Sequence, residues 1–152
     1  MNLDRSTFWP GWLAVVALTM SAFGVLMVLS GPDGLLGGLT ASAETAFWPD
    51  GQTPGGLAEF RRWMYGVWGA TVAGFGLLAA FLAGQAYLRR ERWARNALAG
   101  SVAVWYVLDT GVSLQGRVWI NAVFNTVVLA AFAVGLIFTW KEFHRSGDGK
   151  ES

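Results

Sequence analysis

Residues 105–125, Trp-Tyr-Val-Leu-Asp-Thr-Gly-Val-Ser-Leu-Gln-Gly-Arg-Val-Trp-Ile-Asn-Ala-Val-Phe-Asn, decide what kind of object this chain is. They read as the end of one membrane helix, a tight turn, and the start of the next. Asp109, Ser113, Asn121 and Asn125 are nearly all the polar side chains that the chain places at membrane depth. A polar group in hydrocarbon is costly without a partner, so each of the four needs one.

The turn and its two helices fit a wider pattern. About 20 apolar residues cross a bilayer core, and four segments qualify: 8–30, 63–84, 96–114 and 118–140. Of the 152 residues, 54% are hydrophobic and only 14% charged, too apolar a balance for a soluble domain of this size. An open sheet cannot sit in lipid. The expected fold is therefore all-α: a transmembrane four-helix bundle forming one integral membrane domain over residues 1–152, with an outer loop at 31–58. Ala41-Ser-Ala has the form of a signal-peptide cleavage site. The apolar run before it is too long for a signal peptide and ends too early, so the first span is expected to be retained.

Composition also excludes chemistry. The chain has no cysteine, which removes disulfides, thiolate nucleophiles and cysteine metal sites. Its single histidine, His144, lies in the polar tail, so a bis-histidine haem or a histidine-rich metal site cannot form inside the bundle. No cofactor and no metal are expected. A net charge of +1, with no basic run outside the membrane flanks, gives no sign of nucleic-acid binding.

Charge sets the expected topology. Eight of the eleven cationic residues fall on one side of the spans: Arg5, Arg89, Arg90, Arg92, Arg95, Lys141, Arg145 and Lys150. Only Arg61, Arg62 and Arg117 fall on the other. The excess of cations on cytoplasmic loops predicts cytoplasmic termini and an outer long loop. Trp93 and Trp140 would mark the inner interface, and Trp48, Trp63 and Trp119 the outer. Pro10 is expected in the first turn of the first helix, where its missing N–H costs nothing. Residues 31–58, rich in Gly, Pro, Thr and Ser, read as an irregular surface loop, with a short amphipathic piece around Leu35, Leu36, Leu39, Phe47 and Trp48 as the alternative. The second span is lined with small residues, including the pairs Gly66/Ala70, Gly69/Ala73 and Ala70/Gly74, which let a neighbouring helix approach closely. Packing within this chain is the preferred reading, and packing against a second copy the other.

The polar residues can be placed by depth. At 1.5 Å per residue, Asp109 lies roughly 8 Å below the end of the third span, and Asn125 lies about 9 Å inside the fourth. The turn between those spans is short, so the two helices are antiparallel neighbours and both residues reach the same level. Asn121 sits one turn above Asn125, and Ser113 one turn above Asp109. Tyr106 lies one turn below Asp109. Tyr65, near Arg61 and Arg62 on the second span, faces the same outer mouth. Together these predict an outward-facing polar pocket between the second, third and fourth spans, with Arg62 or Arg117 as the ion-pair partner of Asp109. Interhelical ties are the plainer role for Asn121 and Asn125, worth about 1 kcal/mol or less each. For Asp109 a structural tie and a functional site weigh equally. Glu59 and Arg62 read as a solvated pair. No catalytic group is expected, because Asp109 with Ser113 one turn away is not a hydrolytic arrangement.

The layout resembles small bacterial inner-membrane proteins of the DoxX-like four-helix kind. The similar features are the outer loop after the first span, Glu59-Phe-Arg61 with Tyr65-Gly66 opening the second, and its glycine-rich course. An acid at Asp109 and the pair Asn121 and Asn125 depart from that pattern. The resemblance implies fold and location rather than an activity. Three functions remain open: a binding or accessory protein, as a subunit of a larger membrane complex; a small oligomeric transporter or ion-coupled carrier using Asp109; and a membrane enzyme acting on lipid or quinone. Membrane lipids are the expected partners, with a homo-oligomer or a larger complex as further ones.

Overall fold

The computed structural model describes residues 5–34 and 36–140, and those residues are helical without a strand. The elements are α1 (Arg5–Ser30), α2 (Gly37–Phe47), α3 (Leu57–Phe81) continued by a π-helical segment (Leu82–Tyr87), α4 (Arg92–Gln115) and α5 (Trp119–Thr139). Four of these helical stretches are long and apolar enough to cross a membrane: Thr7–Ser30, Leu57–Tyr87, Arg92–Gln115 and Trp119–Thr139. The chain is thus a helical bundle with the build of a multi-pass membrane protein. Leu35, Lys141, His144, Arg145 and Lys150, used in the sequence reading, lie outside the described residues.

α1 is the central helix, packed along its length on α3 and also on α5, while α4 packs on α5. The α1–α3 contact rests on small residues. A Cβ on Gly24 would come within 2.4 Å of the Ala73 backbone nitrogen, one on Gly69 within 2.6 Å of the Gly24 carbonyl, and one on Gly76 within 2.5 Å of the Ser21 nitrogen. The backbones therefore touch directly, which is how helices associate when lipid supplies no hydrophobic drive. The Ser21 hydroxyl crosses the same contact to donate to the Ala73 carbonyl at 3.0 Å. Of the three small-residue pairs expected to pack, Gly69/Ala73 is used. Gly66 and Gly74 meet nothing within 4 Å, because the stripe that faces α1 is Gly69, Ala73 and Gly76.

Two local expectations change. α1 begins at least by Arg5, so Pro10 lies inside the helix rather than in its first turn. The long connection after α1 is not irregular throughout, because residues 37–47 form a helix. Ala41, Ala43 and Ala46 favour it, Thr45 bonds back to the Ala41 carbonyl at 2.9 Å, and Pro49 stops it by disfavouring helical geometry at Trp48.

Two of the turns share one device. After α4, Arg117 N–H bonds to the Leu114 carbonyl at 3.1 Å and Val118 N–H to the Ser113 carbonyl at 2.9 Å, with Arg117 at φ 58°. After the π-helical segment, Arg90 N–H bonds to Tyr87 at 3.0 Å and Glu91 N–H to Ala86 at 3.1 Å, with Arg90 at φ 57°. Both are Schellman caps carrying arginine where glycine is usual.

The buried core is lopsided. Leu13, Ala17 and Met20 of α1, Ala79 and Ala83, Leu98 and Val102 of α4, and Phe132 and Leu136 of α5 form one cluster. The cluster runs from the middle of the bundle, at Met20 and Val102, to the end where Trp9 stacks on Phe138, which is the end carrying residues 5 and 140. α4 meets the second span chiefly through the π-helical segment at this same end. The opposite end, below α2, holds the polar residues.

Candidate functional site

α4 presents Tyr106, Asp109, Thr110 and Ser113 on adjoining positions of one face, and α5 answers with Asn121, Asn125 and Thr126. The Asn121 side-chain amide donates to Asp109 Oδ1 and to Ser113 Oγ, each at 2.8 Å. The Ser113 hydroxyl lies 2.7 Å from the Asp109 carbonyl and 3.2 Å from Asp109 Oδ1, so its one proton serves these acceptors in turn. One turn deeper, Asn125 donates to Thr110 Oγ1 at 3.3 Å. Below that, the hydroxyls of Tyr106 and Thr126 are 3.3 Å apart. Four interhelical contacts thus step down the α4–α5 seam. Asn125 is 1% exposed and Ser113 is buried, whereas Asp109 is half-buried. Among the described residues, Asp109 Oδ2 accepts no hydrogen bond and stays reachable.

The expected ion pair does not form. Arg62 and Arg117 are exposed and neither bonds Asp109, while the neighbouring Arg61 forms a salt bridge with Glu44. Asp109 is held instead by neutral donors, Asn121 and Ser113, while the Arg117 side chain is exposed. Glu59 and Arg62 are likewise exposed rather than paired.

Tyr65 joins a different group. Its hydroxyl lies 2.8 Å from Thr40 Oγ1, and Thr40, buried at 5% exposure, also reaches the Pro32 carbonyl at 2.8 Å. With Arg61–Glu44 one turn away, this pins α2 to the start of α3. At its other end, Phe47 approaches Gly116 in the α4–α5 turn. α2 therefore spans from α3 to that turn across the ends of the helices remote from residues 5 and 140. Of the candidate residues, Asp109, Ser113 and Asn121 meet one another. Asn125 and Tyr106 extend the same seam through Thr110 and Thr126, and Tyr65 belongs to the α2–α3 junction.

The sequence reading missed three parts. Thr110 and Thr126 were legible as polar residues one helical step from Asp109 and Asn125. Tyr87, 1% exposed, hydrogen-bonds Thr139 Oγ1 at the terminal end, and Thr139 donates to the Gly135 carbonyl at 2.7 Å. Arg95, counted only as a topology signal, is buried at 8% exposure with its guanidinium 4.3 Å from the centre of the Trp140 ring. No periodicity separates that arginine from its exposed neighbours. Among the described residues, no group of three His, Asp or Glu side chains is placed to hold a metal ion.

The seam can accept a donor at one half-buried carboxylate oxygen, and it positions that oxygen by bonding the other. No model of a known protein family, no curated protein and no solved structure matches this chain.

Proposed function

We propose that the chain is a binding or accessory protein of a bacterial inner membrane, a subunit of a larger membrane complex, whose site is the outer half of the α4–α5 seam. The DoxX-like layout and the cytoplasmic termini belong to the same reading, supported by the arginines gathered at the terminal end. The observation that carries the binding role is the unequal use of the Asp109 carboxylate. Oδ1 is fixed by Asn121 and Ser113, and Oδ2 is left as an acceptor at a half-buried position. Intramembrane carboxylates mark ligand or ion sites by default, and one held rigid by neutral donors is suited to a ligand that brings its own N–H donor. A lipid amine headgroup or a small amine has that chemistry. The apolar core beyond the seam, with Phe132 and Val102 fully packed, gives a carrier reading no polar path to the other end.

Short-chain phosphatidylethanolamine and phosphatidylcholine differ in whether the headgroup can donate N–H. The ethanolamine lipid is expected to raise the melting temperature of the purified protein in mild detergent more than the choline lipid does, and Asp109→Asn is expected to abolish the difference. Equal shifts from both lipids, or a difference that survives in Asp109→Asn, would overturn the reading.

A further inference from the structure

At the terminal end an arginine-rich turn lies beside an apolar groove, and we propose that the two together hold an anionic phospholipid, its phosphate on the arginines and an acyl chain in the groove. Between Arg89 and Arg95 the chain has four arginines against one acid, Glu91. Arg89 and Arg92 are exposed. The turn that carries them is fixed rather than loose. It is closed by its Schellman bonds and anchored by the adjoining Tyr87 to Thr139 at the end of α5.

The groove, of about 410 Å³, is lined by Ala133, Leu136, Ile137 and Trp140. These follow the i, i+3, i+4, i+7 spacing of one helix face. It is the face opposite the one that meets α1, where Ala131 accepts from the Trp12 indole at 2.8 Å and Phe138 stacks on Trp9. Trp140 belongs to both features, since it ends the groove and carries Arg95 on its ring. Arg95 Nε and Nη2 also donate to Asn96 Oδ1 at 3.1 and 3.0 Å. An acyl chain lying along Ala133–Trp140, about 10 Å at the helical rise, would end its apolar contact where the cationic layer begins.

Orienting the chain in a membrane needs only solvated cations. It does not need a guanidinium buried against an indole, which carries a desolvation cost, nor an apolar groove aligned with it. Charge complementarity selects the occupant. Several arginines clustered at the membrane surface attract an acidic headgroup and are indifferent to a zwitterionic one. This inference concerns the opposite end of the bundle from the Asp109 seam and stands independently of it.

Native mass spectrometry of the purified protein, offered equal amounts of short-chain phosphatidylglycerol and phosphatidylcholine, tests the proposal. Wild type is expected to retain phosphatidylglycerol preferentially. Arg89→Gln and Arg92→Gln are each expected to reduce that preference about fivefold. Ala133→Phe, which fills the groove without changing charge, is expected to lower phosphatidylglycerol retention as well. Arg89 is exposed, so unchanged melting of Arg89→Gln serves as the folding control, and Ala133→Phe carries the test if an arginine variant melts early. Equal retention of the two lipids, preference unaltered in the arginine variants, or retention untouched by Ala133→Phe would each overturn the proposal. Displacement of the lipid by inorganic phosphate at equal concentration would also overturn it, by reducing the site to a bare anion contact.

Discussion

Asn121 is the residue on which the seam turns, because its one amide serves both Asp109 and Ser113. Asn121→Ala removes two interhelical bonds and leaves a carboxylate oxygen short of a donor at membrane depth. A loss of about 1 kcal/mol is expected, since such bonds average under that value but act here as a pair. Unfolding in mixed detergent and denaturant measures it. A change indistinguishable from zero would mean that lipid or water replaces the amide at no cost. Arg117 poses the opposite case. It occupies the left-handed position of a Schellman cap at φ 58°, where a side chain is strained and glycine is not. Arg117→Gly is expected to stabilise by about 0.5–1 kcal/mol, the relief of strain exceeding the extra freedom of glycine in the unfolded chain. The same measurement would show a loss if the Arg117 side chain contributed a tie of its own.

At the scale of helices, α1 and α3 test whether close approach depends on which glycines face the contact. Gly76→Leu would drive a side chain into the Ser21 backbone, with a Cβ already 2.5 Å from its nitrogen. Forced repacking of this kind costs about 1–3 kcal/mol or more. A Cβ on Gly74, two residues earlier, meets nothing within 4 Å, and Gly74→Leu is expected to change stability by less than about 0.5 kcal/mol. A melting series on the two variants separates them, and equal losses would mean that Gly74 also faces a helix. Tyr87→Phe probes the junction of the π-helical segment with α5. Loss of its buried hydroxyl partnership with Thr139 is expected to cost about 1 kcal/mol, and Tyr87→Phe combined with Thr139→Val less than the sum of the two.

Over the whole molecule, stability is divided between the ends. The apolar core and the Tyr87–Thr139 bond sit at the terminal end, while the other end is closed by α2 through two side-chain pairs, Thr40–Tyr65 and Glu44–Arg61. Thr40→Val together with Arg61→Gln is therefore expected to speed amide hydrogen exchange in residues 37–47 at least tenfold while leaving α1 and α5 protected. Each lost pair is worth about 1 kcal/mol of local opening, and 1.4 kcal/mol corresponds to tenfold. Exchange rising equally in all helices would show instead that α2 is part of the cooperative core.

What the sequence by itself determined is the set of properties that depend on local composition. Apolar runs of span length determined four helices long and apolar enough to cross a membrane. The short connection at residues 116–118 made α4 and α5 antiparallel neighbours and so brought Asp109 and Ser113 to the level of Asn121 and Asn125, while packing decided that Asn121 rather than Asn125 bonds Asp109. The missing cysteines closed off whole classes of chemistry. What only the tertiary structure decided depends on which faces meet. Gly69, Ala73 and Gly76 were chosen over Gly66 and Gly74 because α1 lies against that stripe. Tyr65 was drawn to Thr40 because α2 forms and crosses above α3. Arg95 was taken from the solvated cations because Trp140 lies over it. Small residues, arginines and hydroxyls recur on several faces of these helices, and nothing in their spacing ranks one face over another. The ranking comes from packing, since backbones can touch only where no side chain intervenes and a polar group at depth settles where a partner is within reach.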